Sequence, residues 1–199
     1  MAAPEAAGRP GDLTSGYRLV VPDGWFTVDL EPGRRERSVA ALVERQFRGV
    51  SNAPHLKAQA RQELLSRAEV AYAAGGLELF LSLLQVSGIP LAASLVIFLV
   101  RPPAGPQQPD ADDLARTLSD GTRHLSVIDL PAGRSVRSLR RGAPGADADD
   151  ADTTSLEVFA PVPRGGGWLL LSFSAPFGPL APAMIKLFDA ICSTLRWDS

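Results

Sequence analysis

Residues 77–100 read Leu77-Glu78-Leu79-Phe80-Leu81-Ser82-Leu83-Leu84-Gln85-Val86-Ser87-Gly88-Ile89-Pro90-Leu91-Ala92-Ala93-Ser94-Leu95-Val96-Ile97-Phe98-Leu99-Val100. Length and hydropathy would admit a bilayer-spanning helix, for which about 20 apolar residues suffice. Three features favour two strands instead. Ser87-Gly88-Ile89-Pro90 puts turn-forming residues at the midpoint, where proline would break a helix. Leu77, Leu79, Leu81 and Leu83 alternate, as do Ala93, Leu95, Ile97 and Leu99, with the period of a strand. The flanks also lack the one-sided basic cluster that orients a membrane helix. A hairpin of two central strands, covered on both faces, is the expected structure. The competing reading is a membrane-associated chain attached through 77–100.

Upstream, Tyr17–Val21 and Trp25–Leu30 read as strands joined at Pro22-Asp23-Gly24, where proline presets the turn and glycine takes positive φ. Val39, Leu42, Val43, Phe47 and Val50 step by three and four, which predicts a helix over Arg34–Arg48. A second helix is expected from Pro54 to Ala74, with Leu56, Ala60, Leu64, Ala68 and Tyr72 on one face and Gly75-Gly76 as its stop. Downstream, a proline-rich connector leads to a short helix capped by Asp110, with Leu114 and Leu118 inward. A hairpin is expected around Pro131-Ala132-Gly133, joining Arg123–Leu130 to Arg134–Arg141. Leu156, Val158, Ala160 and Val162 mark a strand with one wet face, and Gly165-Gly166-Gly167 turns it into Trp168–Ala175. A closing helix spans Pro179–Arg196, with Leu180, Met184, Leu187, Ile191 and Leu195 on one side. Strands in hairpins with helices grouped between them point to the α+β class: an antiparallel β-sheet with helices packed on its faces. About eight strands and three or four helices form one domain over 15–199, after a disordered tail at 1–14 and with a flexible acidic loop at 142–152.

The composition fits a soluble globular chain, with 199 residues, 45% apolar and 21% charged. Twenty basic residues against 22 acidic ones, a net charge of -2, argue against a nucleic-acid binder. Only Lys57 and Lys186 are lysines, an arginine bias that fits a high-GC actinobacterial genome. A single cysteine excludes a disulfide framework or a multi-cysteine metal site. The first dozen residues lack the apolar run of a signal peptide, so a cytoplasmic location is expected.

Candidate chemistry is sparse. His55 and His124 have no Ser, Cys or carboxylate at a catalytic spacing, and read as surface or structural residues. Cys192, late in a helix among apolar neighbours, reads as core filler. The glycine run lacks the following helix of a phosphate cradle. Asp147, Asp149, Asp150 and Asp152 lack the glycine and glutamate of an EF-hand loop, leaving a solvated linker. Trp25 and Trp168 read as caps on the core. Arg134, Arg137, Arg140 and Arg141 form either a charged edge strand or a docking strip for an acidic partner. Trp197 is either a partner anchor or a residue folded back onto the sheet. Arg137, Arg140, Arg141 and Trp197 are therefore the candidate partner contacts. No catalytic residue, cofactor or metal ligand is expected.

Tyr17-Arg18-Leu19-Val20-Val21-Pro22-Asp23-Gly24-Trp25 resembles the opening hairpin of the PsbP-like family. Leu187-Phe188-Asp189-Ala190-Ile191-Cys192-Ser193-Thr194-Leu195-Arg196-Trp197 resembles its closing helix, and the strand from Trp168 to Phe177 fits as well. That family shares its fold with Ran-binding nuclear import factors and a group of actinobacterial lipoproteins. The resemblance implies an antiparallel sheet sandwiched by helices and a binding or scaffold role without catalysis. It carries over no catalytic residues. Together these readings predict a cytoplasmic, non-enzymatic interaction or accessory protein, associated with an actinobacterial secretion or toxin system and bound to a protein partner. The alternative is a binder of a small apolar ligand or lipid, held between the sheet and the helix carrying Leu56, Leu64 and Tyr72.

Overall fold

The computed structural model describes residues 16–47, 54–82, 85–86, 89–90, 93–101, 108–141, 153–176 and 180–198. The tail expected at 1–14 and the acidic loop expected at 142–152 lie outside them.

The apolar stretch folds back on itself. Strand β3 (Gly76–Ser82) pairs antiparallel with β6 (Ser94–Val100), Phe80 facing Leu95 and Leu81 facing Ser94. Between them β4 (Gln85–Val86) pairs with β5 (Ile89–Pro90). Among the described residues no helix is long and apolar enough to cross a membrane. A bulge breaks the leucine alternation. The register passes from Gly76 opposite Phe98 to Glu78 opposite Ile97, leaving Leu77 unpaired. An extra residue shifts the side-chain period by one. Leu77 therefore packs with Phe80, Leu95 and Ile97, while Leu79 and Leu81 join the cluster on the other face.

Strands β2 (Trp25–Val28), β7 (His124–Leu130), β8 (Gly133–Arg141), β9 (Thr153–Pro161) and β10 (Trp168–Pro176) complete a seven-stranded sheet of order β2-β3-β6-β10-β9-β8-β7. Every pairing in it is antiparallel. This is the expected α+β architecture. On one face, helix α4 (Ala181–Ser193) lays Met184, Phe188, Ile191 and Cys192 over Leu95, Ile97, Leu156, Val158, Leu169, Leu171 and Phe173. Phe188 stacks on Phe173 at 4.6 Å and meets Trp25 edge-on at 6.3 Å. Each large side chain so buried contributes about 1.5–3 kcal/mol.

The other face carries two separate helical blocks. Helices α1 (Pro32–Gln46) and α2 (Pro54–Ala73) cover β2 and β3, joining Val39, Leu42, Val43, Ala68 and Ala71 to Val28, Leu79 and Leu81. Gly76, where α2 hands over to β3, has no room for a side chain, because a Cβ there would lie 2.8 Å from the Ala71 carbonyl oxygen. Helix α3 (Ala111–Leu118) covers β7 and β8, packing on Val136, Phe159 and Trp168. Its cap forms as expected, Asp110 Oδ1 accepting from the Asp113 N–H at 2.8 Å.

Several expectations are corrected. Strand β1 (Tyr17–Arg18) makes no hairpin with β2; it pairs with β11 (Arg196–Trp197) at the far end of the chain. The turn itself exists, with Gly24 at φ 89° and the Trp25 N–H donating to Pro22 O. The C-terminal segment captures β1 instead: Asp198 N–H donates to Gly16 O at 2.8 Å and Val20 N–H to Thr194 Oγ1 at 2.9 Å. The arginine-rich β8 is not an edge strand, since β7 and β9 flank it. Nor is the second face of β9 simply wet, because Phe159 is buried beneath α3. On α4 the buried stripe includes Ile185, Phe188 and Cys192, while Leu180 is exposed. Leu64 packs on the α1–α2 core, but Leu56 and Tyr72 are exposed, so the three do not enclose an apolar pocket.

Candidate interaction surfaces

Alternation along β8 sends its arginines to opposite faces. Arg137 turns toward α4, where it grips both carboxylate oxygens of Asp189: Nε to Oδ1 at 2.7 Å and Nη2 to Oδ2 at 3.1 Å. Arg134 turns the other way and pairs with Asp112 of α3 at 3.0 Å. Arg140 is half-buried opposite Ser155, and the Arg141 backbone lies opposite Thr154. Trp197 folds back, its Nε1–H donating to Ala132 O at 2.9 Å in the β7–β8 turn and its ring meeting Tyr17 edge-on at 6.3 Å. Tyr17 in turn donates to Glu78 Oε1 at 2.7 Å. Burial, and then the Glu78 carboxylate, push that phenol far above its ordinary range, so it is a fixed donor. The four candidates therefore do not form one patch: Arg137 and Trp197 are engaged within the fold, and Arg140 sits on a different face from Arg137.

Arg140 belongs to a strip of sheet whose far end α3 covers and whose Val96 packs on the α1–α2 core. The strip lies between the α1–α2 block and α3, and the strand register organises it into three rows. Ser94, Ser174, Ser155 and Arg140 form the polar row. Val96, Ser172, Glu157 and Ser138 come next, with Glu157 Oε2 accepting from Arg123 Nη1 at 3.0 Å. Phe98, Leu170, Phe159 and Val136 form the apolar row, which runs under α3. Four strands give the strip a width of about 14 Å. In the sequence the only signal for these serines is that Leu170, Ser172 and Ser174 alternate with Leu169, Leu171 and Phe173, as in an amphipathic strand.

A second concavity, a cleft of about 690 Å³, runs along the outer junction of α1 and α2. Ala40, Val43, Ala58, Leu65 and Ser66 line it with Gln62, and Glu44, Lys57, Arg61 and Glu69 supply its charges. Lys57 pairs with Glu44 across it at 3.0 Å.

The remaining reactive residues are dispersed. His55 is exposed in the first turn of α2 and His124 at the start of β7. Cys192 is buried in α4, and burial, then the Asp189 charge, raise its thiol to about 12, which suppresses the thiolate. Among the described residues no group of His, Cys, Asp or Glu is placed to hold a metal ion. Gly165-Gly166-Gly167 forms the β9–β10 turn, entered through a short 3-10 turn at Pro163–Gly165.

No protein-family model matches the chain, and no curated protein matches it. Its structure is similar to the solution structure of cyanobacterial PsbP (CyanoP) from Synechocystis sp. PCC 6803, with a TM-score of 0.43 and 17% identity over 94% of this chain and 88% of that one.

Proposed function

We propose that this chain is a non-catalytic accessory protein that docks an acidic protein segment on the strip between its helical blocks. The supporting observation is the register that sets Arg140 in one row with Ser94, Ser174 and Ser155, with an apolar pair at Phe98 and Leu170 two rows further along the same face. A bound segment would present carboxylates to Arg140, hydrogen-bonding groups to the serines and apolar groups to Phe98. Two helical walls would limit it to one direction of approach. Charge-assisted hydrogen bonds to a guanidinium supply specificity, and the apolar row supplies area. A cytoplasmic location belongs to the same proposal, and a lone, buried, unpaired thiol suits a reducing compartment.

The test is site-specific photo-crosslinking in the native host. A photo-reactive side chain at Ser174 should give discrete protein adducts, and one at the exposed His55 should not give the same set. Adding Arg140→Glu should abolish the Ser174 adducts while the circular dichroism spectrum stays unchanged. Adducts that survive the charge reversal, or that appear equally from His55, would overturn the proposal.

A further inference from the structure

We infer that the α1–α2 cleft is a self-association surface, which takes the α2 helix of a second copy of this chain in antiparallel orientation. The reasoning starts from the pattern along α2. Ala58, Arg61, Leu65 and Glu69 line the cleft, and Tyr72, three residues beyond Glu69, continues the same spacing of three and four along one stripe of the helix. The stripe is polar in the lengthwise sense. Lys57 and Arg61 stand at its N-terminal end, Glu69 at its C-terminal end, and Leu65 at its centre. Size runs the same way, with Ala58 at one end and Tyr72 at the other.

Such a stripe is complementary to itself when reversed. A two-fold axis at Leu65 sets Leu65 against Leu65 of the second copy. It also brings Arg61 beside Glu69 of the second copy and lays Tyr72 over Ala58 of the second copy, each twice by symmetry. That is the isologous arrangement of a two-fold dimer, large residue on small and cation on anion. Two helical hairpins joined this way make a four-helix bundle, with a seam about 30 Å long for a 20-residue helix.

Within one copy the stripe's charges are held only by long ion pairs. Lys57 and Glu44 are closed on each other at 3.0 Å. Arg61 is 3.8 Å from Glu36, and Glu69 is 3.9 Å from Arg35, both beyond hydrogen-bond reach. Arg35 Nη1, buried at the Glu69 end, has no hydrogen-bond partner, and its guanidinium lies 5.7 Å from the Tyr72 ring centre. Residues 32–73 hold eight basic residues against four acidic ones, which repels a second copy at low salt. Near physiological ionic strength the Debye length is about 8 Å, so off-stripe arginines are screened while pairs in contact are not.

Sedimentation equilibrium at about 0.15 M salt, where that screening length applies, tests the inference on the full chain. The wild type should show a monomer–dimer equilibrium. Arg61→Glu and Glu69→Arg should each weaken the dimer by about tenfold or more, and the double swap should recover most of that loss. Both positions are exposed, and circular dichroism should show each variant folded. Arg140→Glu, on β8 outside the α1–α2 block, should leave the dimer unchanged, which separates this inference from the docking strip. A wild type that stays monomeric at high micromolar concentration would overturn it. So would single swaps that leave the dimer intact, or a double swap no better than either single.

Discussion

Replacing Arg137 by Met and Asp189 by Asn, singly and together, decides whether the Arg137–Asp189 ion pair is a structural clamp or a spare contact surface. The geometry is bidentate, at 2.7 and 3.1 Å, and the two side chains differ in exposure: 15% for Arg137 and 41% for Asp189. A hydrogen bond to a charged group contributes about 1.5–3 kcal/mol when shielded, whereas exposed pairs contribute about 0.2–1. With one partner more than a third exposed, the coupling energy should be about 1–2 kcal/mol. The single substitutions should be unequal. In Arg137→Met the apolar stem is retained and Asp189 is free to hydrate, for a loss of about 1 kcal/mol. In Asp189→Asn the guanidinium stays mostly buried without its anion, and the loss should reach about 2–3 kcal/mol, short of the 3–5 for a fully buried pair. For a chain of this size that corresponds to a fall in Tm of roughly 4–12 °C. Urea unfolding followed by circular dichroism gives the three free energies and closes the double-mutant cycle. A coupling below about 0.5 kcal/mol, or an Asp189→Asn variant no less stable than Arg137→Met, would refute the clamp and return Arg137 to the pool of available partner contacts.

Two further outcomes follow from the α4 interface. Phe188→Ala should lower stability by about 3–5 kcal/mol in the same urea experiment, because it removes the ring stacked on Phe173 and touching Trp25; a loss under about 1.5 would mean that α4 is not firmly docked. Cys192 should resist thiol reagents in the native state and react on unfolding. Since its folded thiol stays protonated up to about 12 while the unfolded one ionises near 8.5, the unfolded chain binds fewer protons in between. Stability should therefore fall as pH rises through that window, by up to about 1.4 kcal/mol per unit, and Cys192→Ala should flatten the slope.

Local pattern carried the elements whose partners lie next to them in the chain. Alternation on either side of the Ser87-Gly88-Ile89-Pro90 sequence suffices for the β3–β6 hairpin, and the Asp110 cap needs only the N–H three residues on. Pattern could not say that β1 would leave β2 for β11, since Arg18 and Asp198 meet across 180 positions. It could not see the bulge at Leu77 either, because an unpaired residue leaves the apolar run intact while moving a leucine to the opposite cluster. The site residues divide along the same line. Arg137 and Trp197 stand out in the sequence as contact candidates because their partners in the fold, Asp189 and Ala132, lie 52 and 65 positions away. Arg140 gained its setting from strands that come together only in the sheet, with Ser155 beside it on β9 and Ser174 beyond on β10.

What a side chain offers to a partner is what the fold has not already used, and that remainder is visible only once long-range pairing is known. Among the described residues that remainder includes a serine-lined row ending in Arg140 and the exposed side chains along α2. Each consists of residues that are individually ordinary and become a surface through register.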